Sequence, residues 1–383
     1  MTAETTFGGL TPDAWDALAS DRFYSTSAWL RFCTAEAESP GSAVVSFRDT
    51  GPACAVPVRE LQGLPAWSRY RWNDHLREGG LPQMAPGGTL VGPPEGFQTH
   101  LLGPGGEPSI AAVEDLVSSL RRRSSSADGV EQRPCVAMFL TTPDVVRLRA
   151  AGVTTEPVIL DADAWIPLPE GGWPAWLESL SGNRRKTVRR EDRRFREAGY
   201  AVTHMPLAEC VEQLGDLAAS TLAKYGHSTT PENELRSLRR VVDCLDERAT
   251  VAVCSLPDGE LLGFCLYYLW GDSLFPRWVG FDYDRLLGTA EYFNLAYYSL
   301  VKLADEHGVR RLHVGVGSPE AKALRGAQLQ PLWMVDLTED SVLATVPEQI
   351  RAHNAGVYHR FADNTSTAGA LVDRDAWCGD LGP

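Results

Sequence analysis

The segment DRLLGTA, residues 284–290, lies between a run typical of a β-strand and a run typical of an α-helix. Within it, Arg285, Gly288 and Ala290 form the pattern Arg-x-x-Gly-x-Ala. A glycine at the start of a helix allows close approach to the backbone. The unpaired N–H groups there, with the positive end of the helix dipole, attract a pyrophosphate. The segment, with the positive charge of Arg285, predicts a phosphate-binding loop; the alternative is an ordinary helix start with a glycine turn.

The order of elements around this loop organises the second half of the chain. Apolar periodicity predicts three helices, and then a three-stranded antiparallel meander whose first turn, Pro257-Asp258-Gly259, has the composition of a hairpin. A helix, a buried strand, a short helix and a last strand follow the loop. The predicted helices are 177–198, 207–224, 232–246, 290–307 and 318–325, and the predicted strands are 250–255, 261–270, 273–282, 311–316 and 332–337.

The first half shows the same order of elements, without detectable identity to the second half. The order therefore occurs twice, as a true repeat or by coincidence. The run PLPEGGWP, at 167–174, interrupts both helix and strand, and we place the domain boundary there. The expected divisions are 1–168, 169–340 and a C-terminal helix and tail at 341–383. The predicted helices of the first half are 27–37, 110–122 and 145–151, and its predicted strands are 43–47, 53–58 and 136–140.

Length and composition narrow the class of protein. A chain of 383 residues is expected to hold two domains, and 44% hydrophobic residues suffice for a sizeable core. The net charge of -14 argues against a surface that is basic throughout, so any polyanion must meet a local patch. No apolar run reaches the ~18 residues of a membrane helix, and the first residues lack the features of a signal peptide. We therefore expect a cytoplasmic protein without a membrane span.

The spacing of cysteines and histidines indicates no metal centre. The eight cysteines include no C-x-x-C pair and the eight histidines no H-E-x-x-H pattern, so we expect mostly buried, apolar cysteines and no bound metal. The sequence also lacks the G-x-x-x-x-G-K-[ST] loop and the G-x-S-x-G elbow. These observations argue against a metal hydrolase, a P-loop NTPase and a serine hydrolase.

The loop and its flanking elements resemble the GNAT superfamily of acyltransferases, whose acyl-CoA pyrophosphate loop reads Gln/Arg-x-x-Gly-x-Gly/Ala between the fourth strand and the third helix. Arg285, Gly288 and Ala290 match these positions. A closer resemblance is to the tandem-GNAT branch, which includes FemABX-like aminoacyltransferases and related acetyltransferase domains. There the second half opens with a basic helix and ends with a glycine-rich strand, here HVGVG at 313–317, followed by a lysine and a glycine, here KALRG at 322–326.

The resemblance implies an α/β fold of two GNAT-like domains, each a mixed, mostly antiparallel sheet flanked by helices. It covers 177–337 well and the first half in outline. The second domain would hold the donor, and the first, with a degenerate donor site, would complete the acceptor cleft. The implied donor is acyl-CoA, contacted by Arg285, Gly288, Thr289 and Ala290.

Two further basic residues are candidates for donor binding. Lys322 and Arg325 are three residues apart on a predicted short helix, so they face together and would clamp an anionic donor or substrate. The alternative is a surface pair.

The basic helix is a second candidate for phosphate binding. Residues 184–196 contain eight basic and two acidic side chains, with Val188 and Phe195 marking a buried stripe. One hypothesis is a surface for the CoA 3′-phosphate, a phosphopantetheine arm or a tRNA backbone; the other is a solvated helix paired with the acidic remainder. The phosphate contacts expected under the first hypothesis are Arg185, Lys186, Arg189, Arg190 and Arg193.

Acyl transfer to an amine needs a base, a donor to the oxyanion and an acid for the leaving group. Asp282 and Asp284 alternate with Tyr283, so their carboxylates share one face of an extended segment, and Asp282 is the first candidate base. The alternative for these residues, and for Glu291 in the first helical turn, is capping of a turn or helix. Tyr298 is a candidate acid, although aromatic residues at helical spacing are typical of a core.

Three functions follow from these observations. The first is N-acyl transfer, in which an amine of a small molecule or peptide attacks the thioester of acyl-CoA directly, without a metal. The second is Fem-like transfer from aminoacyl-tRNA, held by the helix at 184–196, to form an amide bond in natural-product or cell-envelope biosynthesis. The third is an inert tandem-GNAT scaffold that binds a peptide or carrier protein.

Overall fold

A computed structural model describes residues 6–35, 41–48, 51–65, 68–124, 133–256, 259–379 and 381. The chain divides into two units. Unit 1 comprises Met1–Asp163 and Leu329–Pro383, and unit 2 comprises Ala164–Gln328.

The strands of the described residues follow in chain order. They are β1 (Ser42–Arg48), β2 (Gly51–Leu61), β3 (Gly88–Val91), β4 (Cys135–Leu140), β5 (Val158–Pro167), β6 (Ala201–Pro206), β7 (Ala249–Ser255), β8 (Leu261–Trp270), β9 (Ser273–Phe281), β10 (Arg311–Gly315) and β11 (Gln328–Asp336).

The α-helices include several of a single turn. They are α1 (Pro12–Ala19), α2 (Ser27–Thr34), α3 (Trp72–Glu78), α4 (Ile110–Ser124), α5 (Thr142–Ala150), α6 (Gly172–Ser179), α7 (Gly182–Glu197), α8 (Leu207–Cys210), α9 (Gly215–Lys224), α10 (Pro231–Leu245), α11 (Glu291–Phe293), α12 (Ser299–Ala304), α13 (Pro319–Ala323), α14 (Pro347–Ala362) and α15 (Arg374–Trp377).

Unit 1 is built on a mixed sheet with the strand order β1-β2-β3-β4-β11. Strands β3 and β4 are parallel, and the other neighbouring pairs are antiparallel. Helix α4 packs against this sheet, where the Ser46 hydroxyl donates to the Ala112 carbonyl at 3.0 Å. Consecutive residues of β2, from Cys54 to Val56, are fully buried.

Unit 2 has the same arrangement, with the strand order β5-β10-β9-β8-β7-β6 and β5 contributing residues 164–167. Strands β9 and β10 are parallel, and the other neighbouring pairs are antiparallel. Helix α9 packs closely on β9. A Cβ atom at Gly280 would lie 2.8 Å from the Ala218 nitrogen, so this contact requires glycine. The expectation of mostly antiparallel sheets flanked by helices is confirmed.

The parallel strands of unit 2 diverge. In the described chain, β9 and β10 pair only at Ser273 with Arg311 and at Leu274 with Leu312, although β9 continues to Phe281. The two strands therefore open a wedge toward the end of β9 that leads into the 284–290 loop. Aromatic rings fill its narrow part, where His313 lies 5.6 Å from Phe275, centroid to centroid.

The units differ from the expected divisions because the last strand of each half pairs with the other half of the sequence. The end of β5 pairs with β10, so unit 2 begins at Ala164 rather than at 169. Strand β11 pairs with β4, Trp333 opposite Leu140, so Leu329–Pro383 belongs to unit 1. The expected C-terminal helix, α14, packs in unit 1 too, where Asn354 accepts the Ile159 N–H at 2.8 Å.

Most elements of the second half lie where the sequence predicts them, with three differences. The helix predicted at 177–198 is two helices, α6 and α7, because Leu180 and Ser181 have extended backbone conformations. The helix predicted at 207–224 is likewise interrupted between α8 and α9. Strand β6 was not predicted. Pro257 and Asp258 of the expected hairpin lie outside the described residues.

Candidate active site of unit 2

The phosphate loop predicted from the sequence connects β9 to the helix that begins at Glu291. Its backbone is shaped by two residues with positive φ, Gly288 at +72° and Ala290 at +63°. Ala290 precedes the first turn in a left-handed conformation, which is uncommon for a residue with a side chain. The position of the loop between strand and helix is therefore as predicted.

Two side chains of the protein already accept two N–H groups of this loop. The side chain of Glu291, only 4% exposed, accepts the Thr289 N–H at 3.0 Å and the Tyr200 hydroxyl at 3.1 Å. The Tyr200 oxygen in turn accepts the Leu287 N–H at 3.1 Å. Burial raises the pKa of Tyr200 to about 12, and the Glu291 carboxylate adds to this increase. Two N–H groups of the predicted anion site are thus already bonded within the protein. The Thr289 N–H is bonded to the Glu291 carboxylate, and the Leu287 N–H to the Tyr200 phenol.

The Arg285 guanidinium, predicted to assist this loop with its positive charge, is also bound to another side chain of the protein. Arg285 forms a two-pronged ion pair with Glu260, in which Nη2 lies 2.7 Å from Oε2. Both side chains are exposed, so water screens the pair and a competing anion can displace it at modest cost.

The two candidate carboxylates do not share a face of an extended segment, because residues 283–285 form a turn. The Asp282 carboxylate accepts the Asp284 N–H at 3.3 Å, and its carbonyl accepts the Arg285 N–H at 3.2 Å. Asp282 therefore caps the turn after β9, and Asp284 is exposed. The expectation of an extended arrangement was wrong, since the bend at the end of β9 needs a side-chain acceptor for its free N–H groups.

Tyr298 lies in the helix after the loop, in a wide turn, Asn294–Tyr298, of π-helical geometry. Its ring is fully buried, and its hydroxyl donates to the Glu191 carboxylate. Burial raises the pKa of Tyr298 well above its ordinary value, with Arg325 opposing this shift and Glu191 adding to it. The phenol is therefore neutral and fixed by its partners.

Arg325 and Lys322 are both buried, and each is bound to the protein itself. Arg325 donates to the Tyr298 oxygen at 3.2 Å and lies 3.3 Å from Glu191 Oε2. Lys322 Nζ donates to the carbonyls of Gly315 and Val316, at 2.8 Å each. They do not converge on one anion position, and neither forms the surface pair considered above. Lys322 ties down the glycine-rich turn that follows β10.

The basic helix α7 has one buried face and one exposed face. Val188 and Phe195 are buried, as predicted, and Glu191 and Asp192 turn to the same side. Asp192 forms an ion pair with Lys302, and the Glu191 carbonyl accepts from Asn294 at 3.4 Å. These contacts hold α7 against the helix that follows the loop.

The phosphate-contact residues expected on α7 divide into two groups. Arg185 and Arg189 bind Glu178 at 2.6 Å and 3.1 Å, and Arg193 lies 3.7 Å from Glu197. Lys186 and Arg190 are exposed, and no ion pair is recorded for either within the described part of the chain. They lie one turn apart, so they point to the same side of the helix.

The described residues hold no group of three or more His, Cys, Asp or Glu side chains that could bind a metal ion. Among them, no helix combines the length and the apolar character needed to span a bilayer. Six of the eight cysteines are buried, as expected.

The patterns of the sequence do not identify three residues with roles at the site. Glu191 is one of the two acids in the basic run, and neither Tyr200 nor Glu260 belongs to a motif. Tyr200 meets Glu291 from 91 positions away, a contact that no local pattern reveals. The position of Glu260 could be predicted from strand pairing. Gly263 pairs with Phe281 between β8 and β9, and the same antiparallel register, extended by three residues, brings Glu260 to the 284–290 loop.

A family model described as an acetyltransferase (GNAT) domain matches residues 182–323. No curated protein sequence matches the chain at a significant level.

Three solved structures resemble the whole chain. FemX shares 13% identity and a TM-score of 0.57, over 88% of this chain and 98% of its own. The C-terminal domain of a putative lysylphosphatidylglycerol synthetase from Agrobacterium fabrum shares 13% identity and a TM-score of 0.52, over 85% and 92%. L-PGS from Bacillus licheniformis shares 11% identity and a TM-score of 0.52, over 84% and 91%. Residues 182–323 thus match a GNAT acetyltransferase domain, in a chain whose fold is similar to that of FemX.

Proposed function

We propose that the chain transfers an aminoacyl group from aminoacyl-tRNA to an amine, forming an amide bond. The observation that carries this proposal is the buried Glu291 carboxylate, which takes the Thr289 N–H and the Tyr200 hydroxyl at the loop. A GNAT loop that cradles the pyrophosphate of CoA needs its N–H groups turned toward the ligand. Here two of these N–H groups, those of Thr289 and Leu287, already have acceptors within the protein.

Charge supports the same donor. A pyrophosphate at this loop would approach the Glu291 carboxylate, and two like charges a few ångströms apart repel strongly where water is excluded. The terminal nucleotide of an aminoacyl-tRNA carries a single phosphodiester and no pyrophosphate, so this donor does not need the N–H groups of the loop. The phosphodiesters of the RNA need a basic surface of their own.

Helix α7 supplies a surface of that kind. Lys186 and Arg190 are exposed on one side of it, and Arg189 and Arg193 are exposed beside them. Ion pairs of exposed side chains contribute little in water, so Glu178 and Glu197 compete weakly with an RNA backbone. Phosphate contacts give affinity without reading sequence, which suits a donor that is shared by many cellular reactions.

The reaction is attack of an uncharged amine on the ester carbonyl. The C–N bond forms, the C–O bond to the tRNA ribose breaks, and one proton passes from the amine to the departing ribose oxygen. Beyond Leu274, the β10 side of β9 has no β10 partner within the described residues, and backbone N–H groups there would stabilise the oxyanion. Asp282, half-buried at the end of β9, is the candidate to accept the proton, with the exposed Asp284 next to it.

Tyr298 has another role in this proposal. Its phenol is buried and bonded to Glu191 and Arg325, so it positions α7 rather than protonating the leaving group. The acceptor is the amine of a small molecule or peptide, and the site of the reaction is the cytoplasm, where tRNA is charged.

N-acyl transfer from acyl-CoA is the second candidate. The observation that favours it is the loop itself, since Arg285, Gly288, Thr289 and Ala290 lie between β9 and the helix, with positive φ at Gly288 and Ala290. In that case Glu291 must turn away from Thr289 when CoA binds, and Arg285 must leave Glu260.

Turnover distinguishes the two donors. The purified chain is incubated with tRNA charged with radiolabelled amino acids and a panel of amines, and in parallel with labelled acetyl-CoA. We expect a labelled amide only from charged tRNA, abolished when the tRNA is digested with ribonuclease beforehand. A labelled amide formed only from acetyl-CoA would overturn the proposal.

A further inference from the structure

Three tyrosines from separate segments meet beside the 284–290 loop. They are Tyr225 at the end of α9, Tyr283 in the turn after β9 and Tyr292 in the first turn of the following helix, and we refer to them as the tyrosine patch. Burial raises the pKa of Tyr283, and the neighbouring Tyr225 side chain adds to this increase. Phe281 lies beneath the patch, with its ring centroid 5.9 Å from that of Tyr283 and 6.4 Å from that of Tyr292.

The patch combines exposed apolar surface with positive charge. Tyr225 is 67% exposed, and Leu287, in the loop between Tyr283 and Tyr292, is 56% exposed. The Lys224 ammonium lies 3.6 Å from the Tyr283 ring centroid, a cation–π contact at the edge of the patch. Rings that face water next to cations form the surface that binds single-stranded nucleic acid, because every base presents a flat face for stacking.

The same loop connects the tyrosine patch to the basic helix. The Phe195 ring of α7 stacks on Tyr200 at 4.7 Å, and the Tyr200 oxygen accepts the Leu287 N–H. Leu287 lies between Tyr283 and Tyr292 in the chain. Helix α7 and the segment that carries two of the three tyrosines are therefore joined through Tyr200.

We propose that the tyrosine patch is a stacking platform for the unpaired 3′ end of the donor RNA, with Tyr225 against a terminal base. This inference rests on the proposed function. In it, α7 holds backbone phosphates of the paired stem, and the platform brings the terminal ribose ester to the wedge between β9 and β10. An adenine is also part of CoA, so the test must separate the two sources of the base.

Binding of two uncharged RNA hairpins tests the proposal. One ends in an unpaired ACCA tail, and the other has the same stem and a blunt end. We expect the full chain to bind the tailed hairpin more tightly, and Tyr225→Ala to lose roughly 5- to 100-fold of affinity for it, the range of one base–aromatic stack. The affinity of Tyr225→Ala for the blunt hairpin stays that of the unchanged protein.

Two variants control for unrelated effects. Tyr225→Phe keeps the ring and is expected to bind the tailed hairpin as the unchanged protein does. Phe47→Ala removes another exposed ring, in unit 1, and is expected to change neither affinity.

Two outcomes would overturn the stacking role alone. One is equal binding of the tailed hairpin by Tyr225→Ala and the unchanged protein. The other appears in a parallel titration with CoA: the unchanged protein binds CoA, and Tyr225→Ala loses that binding while it keeps its affinity for the tailed hairpin. Failure of the unchanged protein to bind either hairpin would instead overturn the proposed RNA donor, and the platform with it.

Discussion

The Glu291 carboxylate accepts the Thr289 N–H at 3.0 Å, so a buried negative charge of the protein occupies the loop where a GNAT domain holds pyrophosphate. The helix dipole that would favour a bound anion favours this carboxylate instead. Glu291 thereby stabilises the loop in the absence of any ligand. Under the proposed function, the exposed basic face of α7 and the wedge between β9 and β10 then select the donor.

Replacing Glu291 is expected to destabilise unit 2. Glu291→Ala leaves the Thr289 N–H and the Tyr200 hydroxyl without their acceptor, at a cost of about 1–3 kcal/mol. The free energy of unfolding, measured in urea, is the readout. Glu291→Gln keeps an acceptor oxygen and should recover part of the loss, and Glu306→Ala, at an exposed position, should change stability by less than about 0.5 kcal/mol. Full stability of Glu291→Ala would contradict the role of the carboxylate.

Stability at high pH reports on Tyr200. Its pKa is about 12 in the folded protein and about 10 in the unfolded chain, so its contribution is complete below pH 10 and is lost as the pH rises to 12. Tyr200→Phe should cost about 1 kcal/mol at pH 8, because it removes the bond to Glu291. Between pH 10 and 12 the free energy of unfolding of the variant should fall less steeply with pH than that of the unchanged protein. The difference in slope corresponds to at most one proton. Parallel pH profiles in urea unfolding would show that Tyr200 titrates normally.

Arg325 is expected to matter for stability far more than an exposed arginine nearby. Arg325→Met removes the cation beside Glu191 and Tyr298, and loss of one partner of a buried pair costs roughly 3 kcal/mol. Arg193→Met, at a side chain 63% exposed, is the matched control, with an expected change below about 0.5 kcal/mol. Chemical unfolding of both variants gives the comparison. Equal effects would mean that the Glu191–Tyr298–Arg325 cluster does not hold α7.

The exposed face of α7 should set the salt dependence of tRNA binding. Lys186→Glu with Arg190→Glu removes two phosphate contacts, which lowers the slope of log affinity against log salt by about 1 to 2. Arg31→Glu with Arg122→Glu makes the same change of net charge in unit 1 and should leave the slope unchanged. An unaltered slope in the α7 variant would remove this helix from RNA binding.

Local patterns in the sequence predicted the centre of unit 2 well. Strand β8 lies at 261–270 as predicted, because a continuous apolar run between turn residues leaves few other conformations. The loop at 284–290 also lies as predicted, since its glycine marks a backbone turn before a helix.

Contacts between distant segments account for most of what the sequence did not reveal. Strand pairing decides that β11 lies beside β4 and β5 beside β10, and a single strand carries no mark of its partner. Burial of Glu291 depends on Tyr200, and the tyrosine patch assembles from three segments. The turn at Asp282 was mistaken for an extended strand end because its alternation of polar and apolar residues is typical of both.

Native mass spectrometry of the full chain, titrated with aminoacylated tRNA and separately with a panel of acyl-CoAs, tests the identity of the donor most directly. The account predicts a complex with charged tRNA, weakened in the variant with Lys186→Glu and Arg190→Glu, and no complex with acyl-CoA. A CoA complex that is lost in Gly288→Trp, without any complex with tRNA, would show instead that the 284–290 loop cradles pyrophosphate and would contradict the account.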